Sequence, residues 1–131
     1  MNPLTRDWVR KAEADWLHAK QTAETASSRR DTFHDQVCFH CQQSAEKYLK
    51  ALLQESALVV PRTHDLVQLV DLLRPVDATL VALRRGMNSL TPYAVEYRYP
   101  GISATKRQAQ AALRHAETVR AAIRQRLGLP I

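Results

Sequence analysis

The chain has 131 residues, 45% hydrophobic and 24% charged, with a formal net charge of +6 and only 3 Gly, 6 Pro and 2 Cys. That balance excludes a disordered or collagen-like chain, and two cysteines do not make a disulfide scaffold. No apolar run approaches the ~20 residues of a membrane span, and the N-terminal stretch has no signal-peptide apolar core.

A cytoplasmic protein without membrane contact is therefore expected, folded as one helical domain over residues 1–131. The charge is unevenly placed. Residues 1–65 hold nine Lys/Arg and nine Asp/Glu, whereas residues 66–131 hold ten and four, so the whole surplus lies in the second half. Basic charge that clusters is a footprint for phosphate or an acidic partner, or else a solvated helix face.

Ala, Leu, Gln, Glu, Lys and Arg dominate between the prolines, and β-branched alternation is almost absent, so the expected class is all-α. The first helix is expected over Thr5–Ala26, with Thr5 as its cap. Trp8, Ala12, Ala19, Ala23 and Ala26 make its apolar face, with Val9 and Trp16 at the edge. Asp15 points close to that apolar stripe, an unusual place for a carboxylate.

A second helix is expected over Asp31–Ala57. His34, Cys38, Cys41, Ala45, Tyr48, Leu49 and Leu52 fall on one core stripe, and Phe39, Gln43, Glu46, Lys50 and Leu53 on a second, mixed one. His40 and Lys47 flank the mixed stripe. Cys38 and Cys41 have redox-pair spacing, but they sit two turns inside the helix on its most apolar stripe, and no second pair completes a zinc site. They are expected to be packing residues, with no metal and no cofactor.

Pro61 opens a loop, after which Leu66, Leu69, Val70 and Leu73 predict a short helix ended by Pro75. Another helix is expected over Val76–Leu90, with Leu80, Leu83, Met87 and Leu90 inward and Gly86 as its weak point. The segment TPYAVEYRYPG reads as a loop. The last helix is expected over Ser103–Leu127. Ala109, Ala112, Ala116, Val119, Ile123 and Leu127 face the core, Lys106, Arg107, Arg114 and Arg124 the opposite side, and Arg120 the border.

There is no Gly-rich phosphate loop and no Gly-x-Ser-x-Gly elbow. The polar residues best placed for a site are His40, Gln43, Glu46, Lys47, Lys50, Thr63, His64, Asp65, Arg98 and Tyr99. Each also has an ordinary use, as a solvated helix side or as a loop-fixing hydrogen bond. His64 and Asp65 in particular precede a helix that they could cap.

CFHCQQSAEKYLKALL, followed by THDL and about 30 residues later by RYP, resembles the HEPN domain family (higher eukaryotes and prokaryotes nucleotide-binding). AEADWLHA is similar to the family's Ala-x-x-Asp-Leu-x-x-Ala start, with Trp16 in place of Leu, and Cys41 stands where Ala is more usual. The resemblance covers about residues 6–125. It implies an up-and-down bundle of four to five helices that dimerises. It also implies a nucleotide-binding or partner-binding module working beside a small nucleotidyltransferase, in a toxin–antitoxin or defence pair.

The alternative implied by the family is a metal-independent ribonuclease acting on RNA. Those members carry Arg, four to six residues, then His late in the bundle, a motif this chain lacks after Arg98. Arg29 and His34 have the spacing but precede the helix-two motif. An atypical catalytic set would be His40 or His64 with Arg98. A homodimer is also expected, because Phe39 and Leu53 would remain partly exposed in a monomer.

Overall fold

The computed structural model describes residues 1–26 and 31–131. Its helices are α1 (Pro3–Ala26), α2 (Asp31–Glu55), α3 (Leu66–Leu72), α4 (Arg84–Leu90) and α5 (Lys106–Arg126), with 3-10 turns at Ala78–Leu83 and Thr91–Ala94 and no strand among the described residues. The bundle is organised around α2. It packs along α1 on one side and α5 on the other, while α3, α4 and the second 3-10 turn close its remaining flank.

The expected spans hold to within a few residues, and the differences have local causes. The first helix starts at Pro3 because Asn2, not Thr5, supplies the cap: its Oδ1 accepts from the Thr5 N–H at 2.9 Å. Thr5 itself is buried inside the first turn. Proline suits that start, since its missing N–H would have no helical partner there.

The second helix stops at Glu55 rather than Ala57. Leu58 N–H returns to the Leu53 carbonyl and Ala57 N–H to that of Gln54, with Ala57 at φ 58°. This is the paired closure of a Schellman motif, built here on an alanine where glycine is favoured.

The helix expected over Val76–Leu90 is a 3-10 turn running into α4, with the Asp77 side chain capping its start through Thr79 N–H. The expected inward set Leu80, Leu83, Met87 and Leu90 is buried. Gly86 weakens helix propensity for a packing reason: a Cβ there would stand 2.8 Å from His115 Nδ1 on α5. The last helix starts at Lys106, three residues later than expected. Thr105 Oγ1 accepts from Gln108 N–H, and the Gln108 side chain accepts from Thr105 N–H, a reciprocal capping box.

The buried side chains form one contiguous cluster from α1, α2, α3, α4 and α5. Trp16, expected at the edge of α1, lies in it, and Trp8 is half-buried with its indole N–H 3.4 Å from the Gln54 side-chain oxygen. Cys38 and Cys41 are free, fully buried thiols in the same core. Burial pushes the Cys38 thiol up to about 12 and raises that of Cys41 further.

Two expectations for polar and apolar faces are corrected. Leu53 is fully buried in the core cluster, because α3, α4 and the second 3-10 turn pack over that flank of α2. Arg124, placed by helical phase on the outer side of α5, instead reaches the Tyr48 hydroxyl with Nη1 at 3.1 Å, and its Nε donates to the Pro130 carbonyl. The chain end folds back beside α5 and gives this arginine its partner.

Candidate functional site

The residues singled out in the sequence are divided by the structure into three neighbouring groups. The first is at His40. Its Nδ1 lies 2.8 Å from Asp15 Oδ1, and Lys47 Nζ donates to the other oxygen of the same carboxylate. Burial pushes Asp15 up, but the hydrogen bonds from His40 and Lys47 outweigh it and hold the carboxyl below its usual value. This accounts for a carboxylate at the edge of the apolar stripe of α1. The His40 ring also lies 4.0 Å from that of His18 and meets Phe39 edge-on at 5.2 Å.

The second group centres on Glu46. Its carboxylate receives Lys50 Nζ at 3.0 Å and the Gln42 amide at 3.2 Å, and its Oε1 lies 2.7 Å from His64 Nδ1. Gln43 donates to the Gln42 side-chain oxygen at 2.7 Å, and Gln42 also donates to the His64 carbonyl. Glu46 and Lys50 are both buried, and Lys50 lies 5.7 Å from the Trp8 ring centre. The charge of Lys50 is thus neutralised inside the protein rather than held out for a phosphate, and the group ties the loop after Pro61 to α2.

Thr63 and Asp65 have capping roles. Thr63 Oγ1 accepts from Asp65 N–H, and Asp65 Oδ1 accepts from the N–H groups of Val67 and Gln68 at the start of α3. His64, between them, keeps an exposed side chain. In both histidines Nδ1 faces the carboxylate, which fixes the ring and leaves Nε2 without a partner among the described residues.

Arg98 belongs to the third group. It borders an open hollow of about 250 Å³ whose other walls are Asp35, Gln36, Phe39, Tyr93 and Tyr97. The two tyrosine rings stack at 5.7 Å with 26° between their planes. Tyr97 is steadied by its hydroxyl on Gln108, and Asp35 is tied down by the Ala104 N–H. Burial raises Tyr93 to about 12 and lifts Tyr97 as well, so both hydroxyls remain protonated at neutral pH. Tyr99 is 74% exposed and lies outside the hollow.

Phe39 joins the first and third groups, since it walls the hollow and touches the His40 ring. No hydrogen bond or ion pair among the described residues joins Arg98 to His40 or His64. Arg29 lies outside the described residues, so its spacing to His34 has no structural counterpart here. Among the described residues no three His, Cys, Asp or Glu side chains converge as a metal site needs. No helix among them is long and apolar enough to cross a membrane.

Sequence reasoning missed Gln42, which links Gln43, Glu46 and the His64 carbonyl. Its signal was a glutamine doublet on a helix, with nothing local to show which of the two turns inward. It also left Asp15 out of the site, although its position beside an apolar stripe was the right clue.

The HEPN domain model matches residues 5–126, and the chain belongs to the HEPN domain family. The solved structure of TT1696 from Thermus thermophilus is similar, with 25% identity and a TM-score of 0.77 over 92% of this chain and 96% of that one. The structure of ST0689, described as an archaeal HEPN homologue, shares the fold at 22% identity and a TM-score of 0.72, covering 93% of this chain and 96% of that one. No curated protein matches the sequence.

Proposed function

We propose that this HEPN chain is a nucleotide-binding module with no chemistry of its own, working beside a small nucleotidyltransferase in a two-protein module of the toxin–antitoxin or defence type. The observation that supports the nucleotide is the hollow of Phe39, Tyr93 and Tyr97 with Arg98 at its rim. A base needs a flat apolar wall, and a phosphate needs a cation not already paired. Arg98 has no ion-pair partner among the described residues, whereas Lys47 and Lys50 are held by Asp15 and Glu46. Binding rather than catalysis is favoured because the chain lacks the late Arg-then-His spacing and no hydrogen bond or ion pair among the described residues joins Arg98 to His40 or His64.

Titration of the protein with ATP, followed by NMR amide shifts, tests this reading. Shifts should centre on Phe39, Tyr93, Tyr97 and Arg98, and Arg98→Ala should weaken binding about tenfold, the loss of one charge-assisted contact. No shift at millimolar ATP removes the nucleotide, and RNA cut by the purified protein in a His40-dependent or His64-dependent manner replaces binding with catalysis.

Self-association is part of the proposal. With Leu53 buried, it rests on half-buried Phe39 and on Val95, Tyr99 and Ile102, which expose large apolar groups on the loop beside it. A sedimenting mass of two chains that falls to one in Ile102→Asp supports it, and one chain at all micromolar concentrations removes it.

A further inference from the structure

Away from α2, two open hollows of about 380 and 510 Å³ adjoin along the seam between α3 and the segment leading into α4. Arg84 and Val81 line both, so they form one groove. Arg74 flanks the first hollow, and Arg85 with Asn88 flanks the second.

The floor is aliphatic, made by Val67, Val70, Ala78 and Ala82, and Val81 between the hollows is 52% exposed. Asp71 is the groove's single acid, and Arg84 already grips it with Nε at 2.8 Å and Nη2 at 3.1 Å. Arg74 and Arg85 are exposed, without an ion-pair partner among the described residues. The groove therefore carries two uncompensated positive charges beside an apolar floor.

We propose that this groove docks an acidic segment of a partner protein, with an aliphatic side chain against Val81 and carboxylates on Arg74 and Arg85. Charge complementarity sets the sign of the partner. All three cations are arginines, whose planar fork matches a carboxylate with two parallel hydrogen bonds and which are favoured over lysine at protein interfaces.

The floor separates a protein from a nucleic acid. A single strand needs aromatic faces for its bases, and this groove has none. Asp71 in the wall adds a charge that repels a phosphate chain but serves a peptide by holding Arg84 in place. The inference is independent of nucleotide binding at Arg98, which lies in a different hollow.

Fluorescence polarisation of the whole protein tests it, using a fluorescein-labelled 12-residue peptide of alternating Glu and Leu and, separately, a labelled 12-nucleotide oligouridylate. The peptide should bind. Arg74→Glu and Arg85→Glu should each weaken it about tenfold, as reversal of a contacting charge does, and Val81→Asp should do the same. Lys20→Glu, on an exposed part of α1, should leave binding unchanged.

Peptide binding insensitive to these groove variants, or equally sensitive to Lys20→Glu, overturns the proposal. So does oligouridylate binding through the same arginines with no peptide binding, or no binding of either probe. ATP titration of the Arg85→Glu protein should be that of the parent, so failure at one site is distinguishable from failure at the other.

Discussion

Glu13 of α1 and Arg120 of α5, 107 residues apart, meet in a two-pronged ion pair in which Arg120 Nε and Nη2 each lie 2.7 Å from a carboxylate oxygen. Tyr48, fully buried on α2 between them, donates its hydroxyl to the same carboxylate. Arg120 also holds the Ile131 carbonyl through Nη1. One carboxylate thus ties together the three long helices, and both of its arginines hold the chain end, Arg120 at Ile131 and Arg124 at Pro130. The Arg120 hydrogen bond keeps Glu13 below its usual value despite partial burial, and burial with the Glu13 contact pushes Tyr48 up to about 12.

Glu13→Gln should destabilise the fold by about 2 kcal/mol, since it removes a charged acceptor from two arginines that are themselves mostly covered. Tyr48→Phe should cost about 1.5–3 kcal/mol, the worth of a hydrogen bond to a charged group, since its hydroxyl lies between the Glu13 carboxylate and the Arg124 guanidinium. Urea unfolding measures both. A change below a few tenths for Glu13→Gln would show the pair to be idle.

Ala57 predicts the opposite sign. It occupies a left-handed position at φ 58° that costs an L-residue about 1 kcal/mol and glycine almost nothing. Ala57→Gly should therefore raise the thermal midpoint by a few degrees. The side chain is exposed, so no packing is lost. An unchanged or lowered midpoint would mean that the flexibility gained in the unfolded chain cancels the relief.

Stability should fall on the acid side. Asp15 and Glu13 are held below their usual values by their cationic partners, and burial followed by the nearby Arg114 charge lowers His115. A group with a depressed folded value contributes fully above its unfolded value and loses that contribution as pH drops through the folded one. The decline should begin below about 6.5, the ordinary histidine value, and steepen below about 4 as the carboxylates protonate. In Asp15→Asn the steep arm should shrink, as chemical denaturation at pH 7 and pH 3 will show.

The two thiols should be silent in the folded protein. Cys38 and Cys41 are fully buried, and burial suppresses the reactive thiolate. A disulfide reagent at pH 8 should modify neither until denaturant is added, and then both at the rate of free cysteine. Rapid modification of the native state would mark a redox site instead.

The helical spans and most of the core were legible in the sequence, because helical period and caps are local. His34, Cys38, Cys41, Ala45, Tyr48, Leu49 and Leu52 lie buried on the stripe that their spacing defines. The family resemblance in the FHCQQ segment, THDL and RYP was equally local, and it led to the HEPN fold.

The tertiary structure alone decided which charges are free. Helical phase put Arg124 outward, yet the returning chain end and Tyr48 hold it, and Lys50 is buried on Glu46 while Arg98 remains open on an aromatic hollow. Phase is fixed by the backbone of one helix. The partner of a long charged side chain is fixed by how helices cross and where loops return, and those contacts join residues that sequence spacing leaves far apart.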